Sequence, residues 1–119
     1  MQFTVGVHHG PDFLLVVCTG PADIADQYAV VDLIARLAEM RGYRRALLDL
    51  TGAEPDLAFS DHLQVGGYIA EKLAGLDRVA SVVQGKFRSG TSEKAAQKQG
   101  LRLRTFTELD EAQEWLAQP

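Results

Sequence analysis

The sequence predicts an α/β fold with a five-stranded, mostly parallel mixed sheet and four helices, the first strand running antiparallel. Three observations carry this. Ala46-Leu47-Leu48-Asp49-Leu50-Thr51-Gly52 is a short apolar run closed by an acid, a hydroxyl and a glycine, the pattern of a strand buried on both faces. A helical pattern precedes it and another follows it. Beyond it, strand-like and helix-like stretches alternate, which implies parallel strands joined by right-handed crossovers.

Each element has its own reason. Phe3, Val5 and Val7 alternate with Gln2, Thr4 and Gly6, so residues 2–8 form a strand with one apolar face. His8-His9-Gly10-Pro11-Asp12 is turn chemistry, and the nearly all-apolar residues 13–19 form a second strand. The short connection makes the pair an antiparallel hairpin. Gly20-Pro21-Ala22 breaks the chain, and Asp23 caps a helix over residues 23–41. Ile24, Tyr28, Val31, Ile34 and Ala38 fall on one face of it, and Gly42 stops it. Residues 45–50 are the central strand, and Pro55 lies in the loop beyond.

Ser60 or Asp61 caps a second helix over residues 61–74, with Leu63, Ile69, Ala70 and Leu73 on its buried side. Gly66-Gly67 inside it costs about 1 kcal/mol per glycine relative to alanine, which close packing of helix on sheet would explain. Residues 78–84 form the fourth strand and residues 91–99 a short helix. Residues 101–106 open on the alternation Leu-Arg-Leu-Arg, which suits an edge strand with one wet face. Thr107 and Asp110 have capping-box spacing, and Leu109, Ala112, Trp115 and Leu116 form the stripe of the last helix, residues 108–117. Leu48, Leu50, Val82, Ile34, Leu73 and Leu116 are the expected core.

The 119 residues suit one domain with one core. Twelve basic against sixteen acidic side chains give a net charge of −4, which argues against nucleic acid as a partner. A single cysteine, Cys18, excludes an internal disulfide and reads as a buried, inert thiol. No apolar stretch is long enough for a membrane span, and no signal peptide is visible, so a cytoplasmic location is expected.

The order of elements, with Ala46-Leu47-Leu48-Asp49-Leu50, Arg78-Val79-Ala80 and Glu93-Lys94-Ala95-Ala96, resembles the STAS superfamily. It is similar above all to small stand-alone SpoIIAA-like proteins, which broad classifications group with SEC14-type lipid-binding domains. The ending carries most of the likeness. The strand Gly100-Leu101-Arg102-Leu103-Arg104-Thr105-Phe106-Thr107 runs into Glu111-Ala112-Gln113-Glu114-Trp115-Leu116. The resemblance implies a non-enzymatic switch or binding module. In the sporulation antagonists of this superfamily a serine at the start of the second helix is phosphorylated, within an Asp-Ser-Ser-Gly-like motif. By position that serine is Ser60, in Phe59-Ser60-Asp61-His62, where the acid follows the serine and the glycine is missing.

Candidate chemistry is sparse. Gly85-Lys86-Phe87-Arg88-Ser89-Gly90-Thr91-Ser92 has phosphate-loop glycine spacing, but Thr91 stands where the nucleotide-binding lysine belongs, so hydrolysis of a nucleotide is not expected. Lys86 and Arg88, before a helix N-terminus, make a candidate anion site. His8, His9 and His62 lack metal-ligand spacing, and no metal or cofactor is expected. Asp49 has no partner for acid–base work, so a structural role is expected.

Two functions fit. One is a regulatory module that binds a protein through Thr51, Phe59, Ser60 and Asp61, beyond the carboxyl end of the central strand. The other is a carrier or sensor of a small apolar, lipid-like ligand held between helices and sheet, lined by Tyr28, Phe59, Tyr68 and the glycine pair. The apolar hairpin of residues 2–19 further predicts a symmetric homodimer.

Overall fold

Five strands and four helices follow the expected order in the computed structural model, which describes residues 2–88 and 90–119. β1 is Thr4–His9, β2 Leu14–Ala22, β3 Arg45–Pro55, β4 Arg78–Val82 and β5 Leu103–Phe106. The helices are α1 Ile24–Arg41, α2 Phe59–Lys72, α3 Thr91–Lys98 and α4 Leu109–Leu116. Strand order is β1-β2-β3-β4-β5, with β1 antiparallel to β2 and every other pair parallel. Gly85–Phe87 forms a single 3-10 turn.

The two-residue period of the strands builds two cores. Leu14, Val16 and Cys18 of β2, Ala46 of β3, Val79 of β4 and Leu103 of β5 face α1, α2 and α3. Leu47, Ala80, Val82 and Phe106 face the other way, onto Ala112 and Leu116 of α4. Val82, Ile34, Leu73 and Leu116 are buried as expected. Leu48 and Leu50 are only half-buried, for a reason that lies in the functional site.

The helix ends follow local chemistry. The Asp23 carboxylate accepts from Asp26 N–H at 2.9 Å and Asp26 accepts from Asp23 N–H at 3.0 Å, a reciprocal cap at the start of α1. Gly42 ends α1 at φ 74°. Thr107 does not start α4: its N-cap is Glu108, with no side-chain cap bond. α4 is held at its other end. Arg45 and Arg78, paired across β3 and β4, point onto it. Arg78 donates to Trp115 O at 2.8 Å and Pro119 O at 3.1 Å, and Arg45 to Gln118 O at 2.6 Å and to Leu116 O. Two guanidinium groups thus satisfy the carbonyls that a helix end leaves open.

β2 and β3 run further than expected, and they do so together. Pro21 and Ala22 pair with Glu54 and Pro55. Gly20, at φ +90°, permits this, since a Cβ there would lie 2.2 Å from Gln2 O. Between the pairs Val17–Asp49 and Thr19–Gly52, β3 carries one residue more than β2, a bulge. Gly52 fits because a Cβ would meet Thr19 Cγ2 at 2.9 Å. The far edge strand is also protected. Glu93 accepts from Thr105 N–H, Arg88 donates to Thr105 O at 3.2 Å and Gln97 donates to Leu103 O at 2.9 Å, so side chains occupy the outer edge of β5.

Candidate functional site

The bulge of β3 opens the site. Asp49 Oδ1 accepts from Thr51 N–H at 3.0 Å and from Thr51 Oγ1 at 2.7 Å, closing the extra residue on itself. Thr51 O accepts from Gln84 Nε2 at 2.8 Å, tying the bulge to the segment after β4. Asp49 therefore has the structural role expected of it. Thr51 sits at this bulge, not in the helix start with the other three candidates.

The chain leaves β3 at Pro55, bonds back from Asp56 N–H to Ala22 O at 2.9 Å, and enters α2 at Phe59. The helix starts before the expected caps. Its N-cap is Ala58, which has no side-chain oxygen, and Asp61 compensates by accepting from Ala58 N–H at 2.9 Å. Ser60 is therefore not the cap; it lies exposed within the first turn. Phe59 is 70% exposed and Leu63, one turn on, is 47% exposed. Leu63, expected on the buried side, faces water because α2 turns Val65, Gly66 and Ala70 inward instead. Phe59, Ser60 and Asp61 thus share one turn, with Leu63 beside Phe59 at helical spacing.

The glycine pair sets how α2 sits. A Cβ on Gly66 would lie 2.5 Å from Ser92 O and 2.7 Å from Ala95 Cβ, so Gly66 brings α2 close to α3 and not, as expected, to the sheet. Ser92 Oγ donates to His62 O at 2.9 Å across the same contact.

Beneath α1 and α2 lies a cavity of about 120 Å³. Leu48 and Leu50 are part of its wall, which is why these central-strand residues are only half-buried. Cys18, Val31, Ile34 and Val65 continue the apolar lining. Burial first, and Asp49 second, push the Cys18 thiol up to about 11, so it stays a neutral thiol at pH 7. Toward β4 and β5 polar side chains, Ser81, Arg88, Ser92, Glu93 and Thr105, join Val79 and Leu103 in the lining.

Tyr28 and Tyr68 are not among the lining residues. They clasp α1 to α2 from outside, ring centroids 4.4 Å apart. Tyr28 Oη donates to Gln64 Oε1 at 3.3 Å and Tyr68 Oη donates to Asp32. The Asp32 bond, with burial and nearby charge adding, pushes Tyr68 up to about 12. Phe59 does not line the cavity either. The candidate anion residues are turned onto the protein. Lys86 Nζ lies 5.0 Å from the Phe87 ring centroid, and Arg88 is the cation on Thr105 O. Among the described residues, no group of three or more His, Cys, Asp or Glu side chains could hold a metal, and no helix is long and apolar enough to cross a membrane.

The residues that sequence reasoning missed are Leu63, Ser81, Glu93 and Thr105. Thr105 had a signal, as the small polar residue in an alternating edge strand. Leu63 had none, because its spacing fits either face of α2.

Comparison with known proteins places this geometry. No curated protein sequence matches the chain. Among solved structures, an anti-sigma factor antagonist from Mycobacterium paratuberculosis aligns with TM-score 0.67 at 13% identity, covering 98% of this chain and 96% of that one. An uncharacterised protein from Shewanella loihica with a SpoIIAA-like fold aligns with TM-score 0.58 at 22% identity, covering 97% and 93%. The anti-sigma factor antagonist SpoIIAA in its unphosphorylated form aligns with TM-score 0.56 at 13% identity, covering 98% and 100%. These likenesses establish a shared fold. The SpoIIAA-like family model matches residues 13–117, and the chain belongs to the SpoIIAA-like family.

Proposed function

We propose that this chain is a single-domain, non-catalytic regulatory module that docks a protein partner through the start of α2. The observation that carries this is the outward pair Phe59 and Leu63, 70% and 47% exposed and one helical turn apart. Leaving a large apolar side chain in water forgoes about 1.5–3 kcal/mol that a partner's pocket would recover. Asp61 fixes the turn that presents the pair, and Thr51 closes the bulge of β3 earlier in the chain. Ser60, between the two apolar residues, is where a phosphate would place negative charge on the docking surface, at the positive end of the helix. Two structural neighbours are described as anti-sigma factor antagonists, which supports a regulatory protein, an anti-sigma factor or its like, as the partner class. A cytoplasmic setting belongs to the same proposal.

A photo-reactive side chain at position 63 tests this in extract of the source cells. The proposal expects a discrete cross-linked protein that is lost when Phe59→Ser or Ser60→Asp is added. The same cross-link surviving both changes would place the docking surface elsewhere, with Lys86 and Arg88 the next surface to test. Self-association is part of the proposal, supported by Val5 and Val7, which lie exposed along β1. Light scattering should give a dimer, and a monomer at high concentration would remove that part.

A second reading, a carrier or sensor of a small apolar ligand, is supported by the cavity that Leu48 and Leu50 line.

A further inference from the structure

We propose that this cavity takes an uncharged amphiphile, a single ring or a chain of about six to eight carbons, whose polar group bonds to Ser81 and Thr105. The inference rests on the ligand-binding reading of the cavity and names its chemistry.

Size comes first. Protein interiors leave few voids larger than a water molecule, so open space against the central strand is unusual. Its volume, about 120 Å³, approaches that of an apolar cavity of about 150 Å³ known to take benzene.

Polarity runs across the sheet. Strand order puts Cys18 of β2 and Leu48 and Leu50 of β3 at one side of the cavity, and Ser81 of β4 and Thr105 of β5 at the other. A ligand lying across the strands therefore meets hydrocarbon alone at the β2–β3 end, and at the other end meets the two hydroxyls set among Val79 and Leu103. Ser81 Oγ and Thr105 Oγ1 are 3.0 Å apart, so one donates to the other. One hydroxyl hydrogen and several lone pairs remain for a ligand hydroxyl or carbonyl.

Charge decides the head group. Two charged side chains line the polar side, Arg88 and Glu93, and both are bound to the backbone of Thr105. Their charges are opposite and are anchored on one residue, so the polar side carries no net charge to balance an ionised head. Burying an ion without a counter-charge is costly, whereas a neutral group needs one hydrogen bond.

Methyl chemical-shift titration of the full chain tests this with 1-hexanol, hexanoate, hexylamine and benzene. Hexanol should shift the Leu48 and Leu50 methyl signals saturably and bind at least about tenfold more tightly than either ion. Ser81→Ala and Thr105→Val, each checked for an unchanged fold by its methyl spectrum, should weaken hexanol about fivefold and leave benzene unaffected. Hexanoate or hexylamine binding as tightly as hexanol overturns the uncharged head. Benzene binding, with hexanol indifferent to both variants, overturns the place of the head group while the cavity remains a ligand site. No shift with any of the four probes overturns both this inference and the reading it rests on.

Discussion

Gly66 and Gly67 are neighbours on one helix, and alanine at the two should have opposite effects. Replacing either gains about 1 kcal/mol of helix propensity. At Gly66 the new Cβ would lie 2.5 Å from Ser92 O and 2.7 Å from Ala95 Cβ. A backbone oxygen and a Cβ cannot swing aside, so α2 and α3 must separate, at an overpacking cost of about 2–3 kcal/mol. The net expectation is a loss of about 1–2 kcal/mol. At Gly67 the nearest group is Gln99 Nε2 at 3.3 Å, the end of a flexible side chain. There the propensity gain survives, and the variant should be about 0.5–1 kcal/mol more stable. Urea denaturation with an unchanged slope reads the difference, which corresponds to roughly 8 °C between the two melting temperatures. Gly66→Ala at least as stable as Gly67→Ala would refute the close α2–α3 contact, and with it the position assigned to the first turn of α2.

Three further outcomes follow from the same contacts. Arg78, 9% exposed, is the buried charged residue among those described, and Arg78→Met removes its bonds to Trp115 O and Pro119 O, so equilibrium unfolding should show a loss of about 2–3 kcal/mol. Arg78→Lys should restore only part of this, because a single ammonium cannot reproduce the fork. Because Asp61 and not Ser60 closes the start of α2, Asp61→Ala should cost about 1 kcal/mol while Ser60→Ala stays within about 0.5 kcal/mol by thermal melting. Tyr68 should ionise near pH 12 in an ultraviolet pH titration. Its folded value is raised, so its contribution to stability is complete below about pH 10 and is lost as pH rises toward 12. Tyr68 titrating at the ordinary tyrosine value, about 10, would remove the Asp32 bond from the account.

Periodicity was enough to read the architecture, because each strand and helix has its own pattern of apolar residues. The hairpin, the central strand, Asp23 at the start of α1 and Gly42 at its end all stand where local chemistry put them. What local chemistry misplaced depends on contacts between distant segments. Gly20-Pro21 reads as a breaker and Thr51-Gly52 as an exit, yet the strands stay paired past both, with Gly20 and Pro21 opposite Ala53 and Glu54 beyond a bulge. Pairing of that kind is a property of two strands, invisible in either alone. Ser60 has the chemistry of a cap, but Asp61 reaching back to Ala58 lets the helix begin earlier. Gly66 is recognisable as a close approach, but whether sheet or helix approaches is decided by where α3 lies. Tyr28 and Tyr68 suit a cavity wall by type and clasp two helices instead. The cavity arises from side chains that leave space, and Leu48 and Leu50 look like any other core leucines in the sequence.

The central claim is that the first turn of α2 is the docking surface. The most direct test is the affinity of the intact chain for the protein cross-linked from position 63, compared with Phe59→Ser and Ser60→Asp, all three checked for equal melting temperature. The account predicts a loss of at least about tenfold for each variant, the scale of an anchor residue removed from an interface. Unchanged affinity for both, with the fold intact, would contradict it.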